Sequence, residues 1–152
     1  MTTFDASVRD KNLDAACATV AGEIARTDGK ASLLLAFVGA VLAGLASAAD
    51  ADLPTVAKVC GGVAALALGA AAMLLLSVVR PRLGGTDRAS FPYWARLDEQ
   101  QILASMDGDT RAARVRVLSI IAVGKFTRLR QAVDLIRVAL VLLVPAAAGA
   151  LI

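Results

Sequence analysis

SLLLAFVGAVLAGLASAA, residues 32–49, and VCGGVAALALGAAAMLLLSVV, residues 59–79, contain no charged side chain. Each is close to the roughly twenty residues that an α-helix needs to cross a bilayer core of about 30 Å. A short link carrying Asp50, Asp52 and Pro54 joins them. A helical hairpin is favoured in lipid because it satisfies its own backbone hydrogen bonds there. These two stretches decide the fold: an integral membrane protein made of helices. The composition agrees, at 58% hydrophobic with a mean hydropathy of +0.69 over 152 residues. A water-soluble domain of this length would not gather its apolar residues into unbroken runs.

The charges, 16 Lys+Arg against 13 Asp+Glu, lie mostly outside these runs and set the topology. Arg26 and Lys30 precede the first span, Asp50, Asp52 and Lys58 lie between the spans, and Arg80, Arg82 and Arg88 follow the second. The Lys/Arg bias places the N-terminus and the stretch after Arg80 in the cytoplasm, with the link outside. Arg80-Pro81-Arg82 reads as a stop: the guanidiniums snorkel to headgroups and proline opposes further helix. Polar residues 1–31, including Asp5, Asp10, Asp14, Glu23 and Asp28, precede the first run. A signal peptide would open on a short basic segment instead, so none is expected.

A third apolar run, Val138–Ile152, reaches about 22 Å as a helix. It spans if Arg137 snorkels, if the bilayer thins locally, or if the helix begins a turn earlier; otherwise it lies in the interface or docks on the hairpin. Pro145 is a candidate kink, of a kind that membrane helices tolerate. Leu13, Cys17, Val20 and Ile24 form a stripe that runs into the first span, predicting one helix from about Asp10 to Ala49. Asp107-Gly108-Asp109-Thr110 is a turn suited to cap a later helix, along which Phe126, Leu129, Val133, Ile136 and Leu140 follow at three/four spacing. The expected fold is an all-α membrane protein with three transmembrane helices, the first and last extended into a cytoplasmic helical bundle. It forms a single membrane domain over 1–152, divided into a cytoplasmic helix 11–31, spans at 32–49 and 59–79, a cytoplasmic loop 80–110, a cytoplasmic helix 111–137 and a last span 138–152.

Small residues repeat every four positions within the spans: Ala36, Ala40, Gly44 and Ala48 on the first, Ala57, Gly61, Ala65 and Gly69 on the second. Such ladders let backbones approach closely, either between the two spans of one chain or between subunits. The absence of charge from these spans argues against an ion-coupled transporter, whose pathway would need one. There is no His, the commonest general base and metal ligand. The two cysteines, Cys17 and Cys60, read as buried small hydrophobes rather than a zinc site or disulfide. No nucleophile–base pair or phosphate-cradling loop is present, and Gly84-Gly85 is only a turn. Neither catalysis, metal nor cofactor is expected, and no direct nucleic-acid binding.

Ligand chemistry has two candidate locations. Phe91-Pro92-Tyr93-Trp94 holds the only Trp and Tyr. Beside Arg88 and Arg96, these aromatics either stack a base or anchor the chain at the headgroup level. On a helix from Arg111 to Arg128, the basic residues Arg111, Arg114, Lys125 and Arg128 fall within about a 100° arc. Leu118 and Ile121 occupy its middle, so the face meets either another helix or a small anionic ligand with an apolar body.

Several of these segments resemble one family. Leu13-Asp14-Ala15-Ala16 followed by Arg26-Thr27-Asp28-Gly29-Lys30-Ala31-Ser32-Leu33-Leu34-Leu35 is similar to the N-terminal signature of the transmembrane effectors of Pycsar antiphage systems. Arg80-Pro81-Arg82-Leu83 resembles that family's exit from the second span. Ile120-Ile121-Ala122-Val123-Gly124-Lys125-Phe126-Thr127-Arg128-Leu129 resembles its Lys-aromatic segment before the last span. Related actinomycete chains also carry the name integral membrane plasmid transfer protein, which leaves a non-enzymatic role in plasmid transfer as the alternative. The resemblance implies a cyclic pyrimidine nucleotide, cUMP or cCMP, made by a companion cyclase on infection. The effector senses it and impairs the inner membrane, causing abortive infection. By position, the resemblance points to Asp28, Lys30, Lys125 and Arg128 as ligand-binding residues; Asp28 and Lys30 alternatively clamp the basic segment near Lys125. The expected partners are the lipid bilayer, the nucleotide and further copies of the chain in a homo-oligomer.

Overall fold

The computed structural model describes residues 3–49, 51, 53–81, 90–105 and 108–149, and these contain helices and no strand. In chain order the helices are α1 (Thr3–Ser47), α2 (Thr55–Val79), α3 (Phe91–Trp94), α4 (Glu99–Ser105) and α5 (Arg111–Gly149). The expectations placed on Asp50, Asp52, Arg82, Gly84, Gly85, Arg88, Asp107 and Ile152 lie outside the described residues, as does the side chain of Phe91.

α1 is a single element from before Asp10 to the end of the first apolar run, about 68 Å long at 1.5 Å per residue. No proline interrupts it. α2 starts where Pro54, with no N–H to satisfy, sits at the cap and its carbonyl accepts from the Lys58 N–H at 3.1 Å. It ends at Arg80, whose ψ of 124° is the extended backbone that a following proline imposes. α5 passes through Pro145 and continues to Gly149. The last apolar run is thus the end of a longer helix, and α1, α2 and α5 are each long and apolar enough to cross a membrane.

Two short helices occupy part of the stretch read as loop 80–110. α4 is started by a reciprocal pair: the Gln101 N–H donates to Asp98 Oδ1 at 2.8 Å, and the Asp98 N–H donates to Gln101 Oε1 at 3.1 Å. This capping box satisfies two backbone donors that a helix start leaves orphaned.

The chain packs as two compact units: Met1–Arg26 with Pro81–Gly124, and Thr27–Arg80 with Lys125–Ile152. In the second unit the three long helices meet along seams with alternating spacings of four and three. On α2 the seam is Ala57, Gly61, Ala64, Leu68, Ala71, Leu75 and Val78, all buried except half-buried Gly61. On α5 it is Lys125, Leu129, Ala132, Ile136 and Ala139, all buried, and on α1 it includes Thr27, Ala31 and Val38, also buried. This is heptad packing, with small residues at alternate positions admitting the neighbouring helix. A Cβ built on Gly149 would lie 3.3 Å from the Cβ of Ala57, so the end of α5 meets the start of α2. α5 therefore runs parallel to α1 and antiparallel to α2 within this unit.

The first unit is thinner. Leu13, Cys17, Val20 and Ile24 face inward as their stripe predicts, together with Val115 and Leu118 of α5, but all six are only half-buried.

Several apolar residues lie elsewhere than their spacing suggests. Phe126 and Leu140 are exposed at 42% and 41%, whereas Leu129 and Ile136 of the same predicted stripe are buried. Ala40 and Gly44 of the α1 ladder are exposed, and a Cβ added at Gly44, Gly61 or Gly69 would meet nothing within 4 Å. Gly61 lies on the α2 seam, but no neighbouring atom comes within contact of an added Cβ at any of these three glycines. The reason is environmental: lipid is as apolar as leucine, so large side chains gain little by turning inward, and small ones are selected where helices touch.

Candidate functional site

The basic face of α5 meets α1 in both units, and two of its cations, half-buried Arg111 and buried Lys125, are occupied by carboxylates. Arg111 opens α5 with its guanidinium fully engaged. Nη2 donates to Asp10 Oδ1 at 2.7 Å and to Asp109 Oδ2 at 3.3 Å, Nη1 to Asp14 Oδ1 at 3.2 Å and to the Asp10 carbonyl at 3.3 Å, and Nε to Asp109 Oδ1 at 2.9 Å. That uses all five guanidinium N–H donors. Asp109 also accepts the Arg111 backbone N–H at 3.0 Å, taking up one orphan donor at the start of the helix. The Arg111 side chain, then its backbone N–H, hold the Asp109 carboxyl below its ordinary range. Cys17 Sγ donates to the Arg111 carbonyl at 3.8 Å. Arg114, Tyr93 and Trp94 are half-buried in this same unit.

In the second unit Lys125 Nζ donates to Asp28 Oδ1 at 2.5 Å. The Lys125 side chain is 11% exposed and that of Asp28 35%. Lys125 occupies a seam position between Ala122 and Leu129, where a hydrophobic residue would ordinarily pack. Asp28 flanks the α1 seam next to Thr27, which is 2% exposed. An ammonium so enclosed needs a partner, since an unpaired buried charge costs several kcal/mol.

The predicted site residues thus separate. Asp28 and Lys125 are brought together, in the clamp that stood as the alternative reading. Lys30, two positions beyond Asp28 on the helix, is about 200° around it and exposed. Arg128 is half-buried on α5, one turn beyond Lys125. Neither Lys30 nor Arg128 forms an ion pair among the described residues. Arg111 and Arg114 belong to the other unit.

Asp10 and Asp14 as partners of Arg111 were missed from the sequence, although a signal exists. Arg111 pairs with the residue 97 positions earlier, Asp14, and Lys125 pairs with the residue 97 positions earlier, Asp28. The two carboxylates and the two cations are each spaced by two heptads. Opposite charges repeated at one offset are what two parallel helices in register produce.

The family model of the Pycsar effector protein domain matches residues 12–152. The chain belongs to this family. No curated protein and no solved structure matches it. With three helices able to span a bilayer, this Pycsar effector is a multi-pass membrane protein. The match begins just before the Leu13-Asp14 segment and covers both ion pairs that join α1 to α5 through Asp14 and Asp28.

Proposed function

We propose that this chain is the membrane effector of an antiphage system, activated by a cyclic pyrimidine nucleotide, cUMP or cCMP, from a companion cyclase. Activation impairs the inner membrane and kills the infected cell before the phage spreads. The family match over residues 12–152 carries this reading and favours it over plasmid transfer. The effector performs no chemical step. It sits in the bacterial inner membrane with its N-terminus in the cytoplasm, as the flanking Arg and Lys imply, and works as a homo-oligomer. The cytoplasmic segments 11–31, 80–110 and 111–137 are then the receiver.

A ligand acts only if it binds one helix packing better than another. The Lys125–Asp28 pair is the element best suited to couple the two. A cyclic phosphate diester offers Lys125 an anion in place of the Asp28 carboxylate, and Arg128, one turn away, adds a second cation. Exchanging partners releases Asp28 from α5 and biases the seam between α1 and α5.

Equilibrium binding of cUMP and cCMP to the detergent-purified chain tests this. Saturable binding of one nucleotide is expected, weakened roughly tenfold or more by Arg128→Ala, because a hydrogen bond to a charged group contributes about 1.5–3 kcal/mol. Asp28→Asn should tighten binding by removing the competing carboxylate. Absence of binding, with harmless co-expression beside an active cyclase, overturns the proposal.

A further inference from the structure

A cavity of about 600 Å³ lies among α1, the α1–α2 link, α2 and α5 in the second unit. Its walls include Leu45, Leu53, Gly61, Leu143 and Ala146, and among the described residues Lys58 is the charged one in the lining. The cavity exists because small residues face it: a Cβ added at Gly61 or Gly62 would meet nothing within 4 Å. Water would find few hydrogen-bonding partners against such walls and would not be held there. Left empty, the lining would forfeit its dispersion contacts. The walls belong to helices long and apolar enough to cross a bilayer, so lipid is the apolar solvent at hand.

We infer that this cavity is a phospholipid site, taking one acyl chain among the three helices with the lipid phosphate on Lys58. The size fits the range of small-molecule sites, which are mostly apolar with a few polar groups that orient the ligand. Lys58 is exposed one turn into α2, within reach of the headgroup layer by snorkelling. The site is independent of nucleotide sensing. At this end Gly149 of α5 still approaches Ala57 of α2, and the cavity lies beside that contact with walls from α1, α2 and α5; a lipid chain completes the packing.

Native mass spectrometry of the delipidated full chain with added phosphatidylglycerol, and with diacylglycerol of the same chains, tests the assignment. The unaltered protein should retain one tightly held phosphatidylglycerol. Gly61→Leu should lower its affinity roughly tenfold or more, since each methylene kept from burial loses about 0.8 kcal/mol. Ala146→Leu, from another helix, should do the same, so the test survives if one variant misfolds. Lys58→Gln should weaken phosphatidylglycerol binding and leave diacylglycerol binding unchanged. Unaltered lipid retention in both cavity-filling variants with native helix content would overturn the site. A changed oligomeric state at unchanged lipid retention would also overturn it, assigning the cavity to a second copy of the chain.

Discussion

Lys125 is the residue on which the α1–α5 interface turns, because it places an ammonium where the seam calls for an apolar side chain. Breaking a buried pair by removing one partner costs more than removing both. Asp28 is a third exposed, so solvent moderates the loss, and Asp28→Asn is expected to destabilise the fold by about 2 kcal/mol. Lys125→Met added to Asp28→Asn should recover most of that. Unfolding of the single and double variants in micelles, followed by circular dichroism, measures the coupling; additive effects would rule the pair out as a coupled unit. Asp109 is the residue where pH enters. Its folded pKa is depressed by Arg111, so its contribution is present above the ordinary aspartate pKa and is lost as pH falls through the lower folded value. Protection of the first-turn amides of α5, taken as exchange relative to the intrinsic rate at each pH, should therefore fall below about pH 4. In Asp109→Asn that pH dependence should disappear.

Among the elements, the seam on α2 separates two kinds of apolar residue that hydropathy treats alike. Ala71 is fully buried, and Leu66 is 77% exposed to what is lipid in the membrane. Ala71→Leu is expected to cost about 1–3 kcal/mol by overpacking. Leu66→Ala should stay within about 0.5 kcal/mol, as it removes no interhelical contact. Denaturation in mixed micelles decides between them; equal effects would contradict the seam. This contrast also explains what was legible in the sequence. The stripe Leu13, Cys17, Val20 and Ile24 was readable because polar residues surround it and the apolar face stands out. Within the spans every face is apolar, so periodicity carries no contrast there. Large Phe126 and Leu140 then suggested an inner face, while Ala132 and Ala139 form it.

For the whole molecule, the fold of three membrane-crossing helices and the family both emerged from the order of apolar runs and flanking motifs. The proposed orientation has a direct test. In a Cys17→Ser, Cys60→Ser background, Ala51→Cys should react with an impermeant maleimide on intact cells, and Gly108→Cys only after lysis. The reverse pattern would refute the N-terminus-inside arrangement. Of the candidate site, a clamp from Asp28 and Lys30 onto the segment near Lys125 was open as one of two readings, and Asp28 alone makes it; the carboxylates around Arg111 and the cavity beside Lys58 were not legible.

What the sequence determined by itself is the solvent of each segment and the places where helices begin and end. Both are local properties: run length sets the first, and Pro54, Asp109 and Pro81 set the second, while the cap at Asp98 lay in a stretch read as loop. Which face turns inward, which carboxylate meets which cation and where a void remains were decided only by the tertiary structure. Those outcomes depend on side chains brought together from helices about a hundred positions apart, and in an apolar solvent packing rather than hydrophobicity selects among them.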